Sequence, residues 1–316
     1  MKSRFVEPGV GRLCAVFLQM FCIALLAGCA SLPKTELTAL ESGISNVKVD
    51  FEELESYALR ARRAYSSAKE IRAAFPGTVR VATPPGTSVQ YFLEQDDASR
   101  TQFLTVRGTA NKKNLQQDFR LVVREDRSLD IPVHSGFDAD ARAVYSDVRS
   151  YLKPGYKIHI SGHSLGGAIA ALLSLYLIED KYGVEKVITF GQPRFTTKDA
   201  VARLAFLPIL RVVDENDVIP MVPPSTVLDP VYGPYDHVGP EVVLLNGIYY
   251  SYLPSHIADR LDVGEFWRDA AIFDLPDHAI SRYIERIGQK TAKSQSIAYR
   301  DREKYVTEPV QRLALH

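Results

Sequence analysis

Cysteine is nearly absent from this chain of 316 residues: it has three, Cys14, Cys22 and Cys29, all close to the N-terminus. No disulfide framework or thiolate metal cluster can be drawn across the rest of the sequence. Charge of one sign is missing as well, since 38 basic side chains face 38 acidic ones and the sum is zero with His neutral. That balance excludes a nucleic-acid binder that works by bulk charge. With 46% hydrophobic and 24% charged residues, a disordered chain is also excluded. Long apolar runs are lacking beyond a single one, so the chain is not a multispan membrane protein. There is no internal repeat and no low-complexity segment, and the length suffices to bury one large core or two smaller ones.

The one apolar run covers residues 13–27, with Gln19 its only polar side chain, and follows Lys2, Arg4 and Arg12. As a helix it would reach about 22 Å, short of the ~30 Å hydrocarbon layer, so it reads as a secretory signal rather than a span. It ends Leu26-Ala27-Gly28-Cys29, which resembles the lipobox of bacterial lipoproteins; the resemblance implies that Cys29 becomes the first mature residue and carries the acyl chains. Cys14 and Cys22 would leave with residues 1–28, and the mature chain would keep no free thiol. Its net charge would be −2, so electrostatics would not hold it on an anionic bilayer and the anchor would be the lipid. Ala30-Ser31 follows Cys29 with no Asp, a pattern similar to outer-membrane lipoproteins of two-membrane cells.

Residues 29–50 are polar and mixed, and read as a tether. Apolar side chains from Phe51 to Phe75 then recur at spacings of three and four and predict one amphipathic helix closed by Pro76-Gly77. Strands are expected at 89–93, 102–106 and 119–123, then a helix patterned on Phe137, Ala141, Val144, Val148 and Leu152. From 157 onward strands at 157–160, 186–190 and 209–213 alternate with helices, the one at 167–182 apolar almost all round. Alternation of this kind means crossover connections and a mostly parallel sheet covered on both faces. Residues 51–285 are expected to form the folded domain and 286–316 a polar C-terminal tail.

The sharpest local signal is Gly162-His163-Ser164-Leu165-Gly166-Gly167, a G-x-S-x-G pentapeptide between a predicted strand and a predicted helix. On so tight a turn, side chains at Gly162 and Gly166 would strike backbone, and the bend lifts the Ser164 hydroxyl clear of the sheet. A serine needs a general base and an acid that orients it. Asp217, just past the strand at 209–213, is the preferred acid because it lies on the same rim of the sheet; Asp214 is its rival and would otherwise cap a turn. Seven histidines compete for the base. His163 is expected to point elsewhere, and His134 and His159 precede the nucleophile, against the chain order of this arrangement. Of His237, His256, His278 and His316, the choice is His278, in a loop leading into a helix, with His237 second. An oxyanion hole requires the Leu165 amide and one from an earlier loop, where Thr109 in Arg107-Gly108-Thr109 is well placed.

Together with Val133-His134-Ser135-Gly136-Phe137, Thr189-Phe190-Gly191-Gln192-Pro193-Arg194, Asn216-Asp217-Val218-Ile219-Pro220 and Asp277-His278, these segments resemble the class 3, fungal-type triacylglycerol lipases in the family's own order across roughly 101–285. The resemblance implies an α/β-hydrolase fold, with Ser164 as nucleophile, His278 as base, Asp217 as its partner, and Thr109 and Leu165 as oxyanion donors. It also implies that His237 is a non-catalytic histidine. One departure concerns the lid: 110–118 carries only Leu115 as a large apolar side chain, so little interfacial activation is expected. Tyr249, Tyr250, Tyr252 and Leu253, with Phe266 and Trp267, read equally as packing or as an acyl-binding wall.

The expected function is an ester hydrolase acting through an acyl-enzyme on a lipid or shorter acyl ester, in the cell envelope and anchored to the membrane through its N-terminus. Phospholipase or acyltransferase chemistry on the same triad is the near alternative. A non-catalytic envelope lipoprotein that keeps the fold as a binding scaffold is the distant one. No metal or organic cofactor is expected, because no ligand cluster has workable spacing. No nucleic-acid partner is expected either.

Overall fold

The computed structural model describes residues 47–108, 123–126, 129–223, 228–229, 233–255 and 276–306. In chain order, helices α1 (Phe51–Arg63) and α2 (Ala68–Ala74) precede strands β1 (Thr78–Ala82), β2 (Tyr91–Asp96), β3 (Thr101–Val106), β4 (Val123–Asp126) and β5 (Ile131–His134). Helix α3 (Ser135–Val148), β6 (Lys157–His163), α4 (Leu165–Glu179), β7 (Gly183–Phe190), β8 (Thr196–Thr197) and the short α5 (Lys198–Val201) follow. The chain continues through β9 (Ile209–Asp214), β10 (Leu228–Asp229), β11 (Gly233–Asp236), β12 (Glu241–Leu244), β13 (Tyr249–Leu253), α6 (Ile280–Thr291) and β14 (Gln295–Ser296).

Nine strands make the main sheet, in the order β1-β2-β3-β6-β7-β9-β12-β13-β14. From β3 through β12 all neighbours are parallel, and the antiparallel pairs lie toward the edges. A smaller antiparallel sheet, β10-β11-β8-β5-β4, is built from the connections. Alternate side chains of the central strands feed two cores, as strand periodicity requires. Ile158, Ile160 and Val187 face α3 and α4. Ile188, Phe190 and Val212 face α1 and α6 through Leu54, Tyr57, Tyr283 and Ile287. Helix α4 is buried from Leu165 through Leu177, in keeping with its all-round apolar sequence. The expected fold, a mostly parallel sheet covered by helices on both faces, is the one observed.

Two expectations are corrected. The single helix over 51–75 is broken: α1 ends at Arg63 and α2 restarts after Ser67, whose hydroxyl caps Glu70 N–H while the Glu70 carboxylate returns to Ser67. This capping box outweighs the continuing apolar period. The Gln90 amide also donates to Ala64 and Ser66 carbonyls at 2.7 and 2.9 Å and so holds the intervening turn. The second correction concerns 286–316. Its described part is no tail: Arg286 and Lys290 are buried on α6, β14 pairs with β13, and Tyr299 and Arg302 are buried beyond it. Lys290 is accommodated because all three of its N–H donors find carbonyls, on Leu245, Gly247 and Arg286. Its charge reads as polar in sequence, yet the structure spends it on backbone acceptors.

Because α4 is packed on every side, Leu172→Ala should lower the unfolding free energy by about 2–5 kcal/mol in urea titrations.

Candidate active site

The parallel strands bring their carboxyl ends to one rim, and three catalytic candidates come from that rim. Ser164 follows β6 with φ +59° and ψ −134°, a left-handed backbone that a non-glycine residue adopts only under constraint. The constraint is visible: Ser164 N–H donates to Phe190 O at 2.9 Å on β7, and Gly167 N–H to Ser164 O at 2.8 Å. A Cβ on Gly162 would lie 2.1 Å from Gly166 O, and one on Gly166 2.4 Å from Val106 O. Both glycines are therefore demanded by sterics, as the pentapeptide suggested. Leu165 opens α4, so its N–H is among those without a partner inside the helix, and the helix dipole points its positive end at the serine.

Asp217 lies three residues past the end of β9, and its N–H turns back to Asp214 O at 3.0 Å. Its carboxylate is buried and takes three donors: His278 Nδ1–H at 2.8 Å and the Tyr283 hydroxyl at 2.5 Å on Oδ2, and Ile219 N–H at 2.9 Å on Oδ1. A carboxylate only accepts, so His278 carries its proton on Nδ1. The lone pair on Nε2 then faces Ser164 Oγ at 2.7 Å. Gly191, at φ +56°, closes the back of the site; a Cβ there would sit 2.7 Å from Asp217 Oδ2 and 3.1 Å from His278 Cε1.

The rival residues are occupied elsewhere. Asp214 pairs with Arg286 at 3.2 Å, and burial pushes its carboxyl up to about 6. His237 donates Nε2–H to Pro220 O at 2.7 Å, and burial holds its pKa well below 6.5. His134 caps α3 and stacks on Phe137, and His159 lies between Tyr57 and Glu185. His163 departs from expectation. Its ring lies 4.7 Å from that of His278, and its Nε2–H donates to the His278 carbonyl at 2.7 Å. Tyr249, Tyr250, Tyr252 and Leu253 form β13, where Tyr250 packs edge-on to Phe51 and Tyr249 lies against Tyr305, so they serve as packing. Thr109, Cys29, the 110–118 segment, His256, Phe266, Trp267 and His316 lie outside the described residues.

Tyr283 and Gly191 were not singled out as site residues in the sequence. Tyr283 follows His278 by five residues on an amphipathic helix, where an aromatic reads as core. Gly191 stood only inside the Thr189–Arg194 stretch. Among the described residues, no group of His, Cys, Asp and Glu could hold a metal ion.

A family described as Lipase (class 3) matches residues 103–227. A secreted mono- and diacylglycerol lipase of Fusarium solani is 28% identical over 176 residues, 51% of this chain and 49% of that protein. A lipase of Rhizomucor miehei is 30% identical over 149 residues, 42% and 40% of the two chains. The chain thus spans about half the length, or less, of these curated relatives. Among solved structures, a lipase of Rhizopus microsporus var. chinensis superposes with a TM-score of 0.53 at 26% identity, covering 64% of this chain and 76% of that one.

The buried neutral histidines give a pH test. Unfolding restores the ordinary pKa of His237, so below pH 6.5 the unfolded chain binds the proton that the native chain refuses. Its contribution to stability is complete above 6.5 and is lost as pH falls. Asp214 and Glu215, raised by burial to about 6 and about 7, act with the opposite sign but are common to wild type and variant. The stability advantage of wild type over His237→Gln should therefore shrink by up to about 1.4 kcal/mol per pH unit below 6.5, measured by denaturant titration.

Proposed function

We propose that this chain, whose residues 103–227 match the class 3 lipase family, is a serine ester hydrolase that cleaves acyl esters of lipids through an acyl-enzyme. The observation that supports this reading most directly is the unbroken path from Asp217 through His278 to Ser164, with heavy-atom distances of 2.8 and 2.7 Å. Those distances are within direct proton-transfer reach.

In this reading His278 Nε2 accepts the Ser164 proton as Oγ attacks the ester carbonyl carbon. The carbonyl π pair moves onto oxygen, and the oxyanion lies against the amides of Leu165 and Thr109. Asp217 keeps the proton on Nδ1 and stabilises the imidazolium, while Tyr283 and Ile219 hold the carboxylate. The C–O bond of the ester then breaks, and the leaving alkoxide takes the proton from Nε2. Water repeats the sequence on the acyl-enzyme and regenerates Ser164. An alcohol in place of water would give acyl transfer, since the triad does not choose the acceptor. The fungal relatives' names favour acylglycerols as substrates, and the polar sequence at 110–118 favours activity on dispersed esters as well as on interfaces.

The envelope location rests on the N-terminal sequence: residues 1–28 as a signal, Cys29 lipidated, and residues 30–50 as tether up to the first turn of α1. No helix among the described residues is long and apolar enough to cross a membrane. The proposed anchor, Cys29, rests on the lipobox-like Leu26-Ala27-Gly28-Cys29. An outer-membrane position follows from Ala30-Ser31 in a two-membrane cell.

Ser164→Ala should lower turnover of nitrophenyl esters on the order of 10⁶-fold and abolish labelling by a fluorophosphonate. His278→Ala should be comparably inactive and His237→Ala active. The hydrolase reading fails if the folded wild-type chain neither labels nor turns over any ester of an acyl-length series, and the base assignment fails if the two histidine variants behave the other way round. Separately, Cys29→Ala should move the protein from the membrane pellet to the soluble fraction, read by fractionation and metabolic palmitate labelling.

A further inference from the structure

The mechanism above leaves His163 and Tyr65 without a role, although both lie at the rim. Tyr65 stands in the turn between α1 and α2, outside the stretch matched by the family. Its hydroxyl is 2.9 Å from His163 Nδ1. A Cβ on Gly108 would come within 2.6 Å of that hydroxyl, so Tyr65 lies tight against the backbone that follows β3. On its other side, the His163 ring meets the His278 carbonyl at 2.7 Å. The two histidine rings are tilted by 31° over one another.

The directions of these hydrogen bonds are forced. A carbonyl oxygen only accepts, so His163 must carry its proton on Nε2. Burial and the neighbouring His278 lower His163 to about 3, and a neutral ring has one N–H only. Nδ1 is then an acceptor, and Tyr65 must be the donor. Donation thus runs one way, from Tyr65 to His163 and from His163 to the His278 carbonyl.

We infer that Tyr65 and His163 are positioning residues that hold the base His278 by its own backbone carbonyl and seat it, through Tyr65, against the backbone at Gly108. The inference rests on the hydrolase reading above. The loop bearing His278 needs such a hold: Ala279 gives α6 no side-chain cap, and the loop's other described backbone anchor is Ala279 N–H to Pro276 O at 3.1 Å. Helix α1 thereby gains a second task besides covering the sheet. The break after Arg63, clamped by Gln90, is what turns Tyr65 toward the rim, and Gln90 O also receives Arg107 N–H at 2.8 Å. Without the Tyr65 hydroxyl, the Nδ1 lone pair of His163 is left unpaired in a buried place and the ring loses one of its two holds. The ring, and the base it holds, would then shift relative to Ser164.

The test compares Tyr65→Phe, His163→Leu and His163→Gln in the full chain. Steady-state hydrolysis of nitrophenyl butyrate is measured beside ¹⁵N NMR of labelled histidine. Tyr65→Phe and His163→Leu should each lower kcat by about 10-fold with KM within about twofold, because a displaced base affects the chemical step more than binding. His163→Gln, whose amide N–H can replace the ring donor, should recover to within about threefold of wild type. The spectrum should show His163 as the neutral Nε2–H tautomer in wild type, with its Nδ1 resonance displaced in Tyr65→Phe by loss of the hydrogen bond it accepts. Wild-type kcat in Tyr65→Phe, no recovery in His163→Gln over His163→Leu, or an unaltered His163 Nδ1 resonance in Tyr65→Phe would each overturn the inference. If His163→Leu does not fold, Tyr65→Phe and His163→Gln are compared with wild type alone. A folded wild type that neither turns over ester nor labels at Ser164 would sink the hydrolase reading instead, and the Nδ1 resonance would then decide the link from Tyr65 to His163 by itself.

Discussion

The hydrogen bond between His278 Nδ1 and Asp217 Oδ2 is the contact on which the site depends. It joins residues 61 positions apart and assigns the imidazole proton, which decides whether Nε2 meets Ser164 as acceptor or donor. The surrounding structure can be understood as a set of supports for that pair. Tyr283 and Ile219 occupy the remaining capacity of the carboxylate, Gly191 leaves the space the pair needs, and Arg286 draws Asp214 away from it. A buried carboxylate with fewer donors would carry a large desolvation cost, so the burial of Asp217 and its three hydrogen bonds are one feature.

Ser164 is held by different physics. At Ser164 the constraint is steric: the strand-to-helix bend requires backbone to pass within a few ångströms of Gly162 and Gly166, and the positive φ is maintained by bonds to β7 and to the first turn of α4. Strain at the serine is offset by packing around α4, a helix with no solvent face over most of its length. The elbow thus couples the hydrophobic core on one side of the sheet to the chemistry on its rim. The opposite core, through α1 and α6, supplies Tyr283 and the turn that carries Tyr65.

Much of this was legible in the order of the residues. The strand–helix alternation and the all-apolar run after Gly167 pointed to the sheet and its buried helix because burial on two faces leaves a periodicity of its own. The G-x-S-x-G turn was legible because glycine is irreplaceable where a Cβ meets backbone. Less visible were features whose cause is a distant partner. The break within 51–75 depends on the local Ser67–Glu70 capping box, which the continuing apolar period masks, and on Gln90 arriving from just before β2. Lys290 and Arg286 read as solvent-exposed charge, since carbonyls that would receive them cannot be seen along the chain.

By itself, then, the sequence determined which residue types could do chemistry and in which turns they stood, for local sterics and periodicity are written in neighbouring positions. Only the tertiary structure decided which of two aspartates and which of several histidines meet, and that His163 lies against His278 instead of away from it. Those choices turn on hydrogen-bond directions between segments a hundred residues apart, and such directions exist only once the sheet has set its strands side by side.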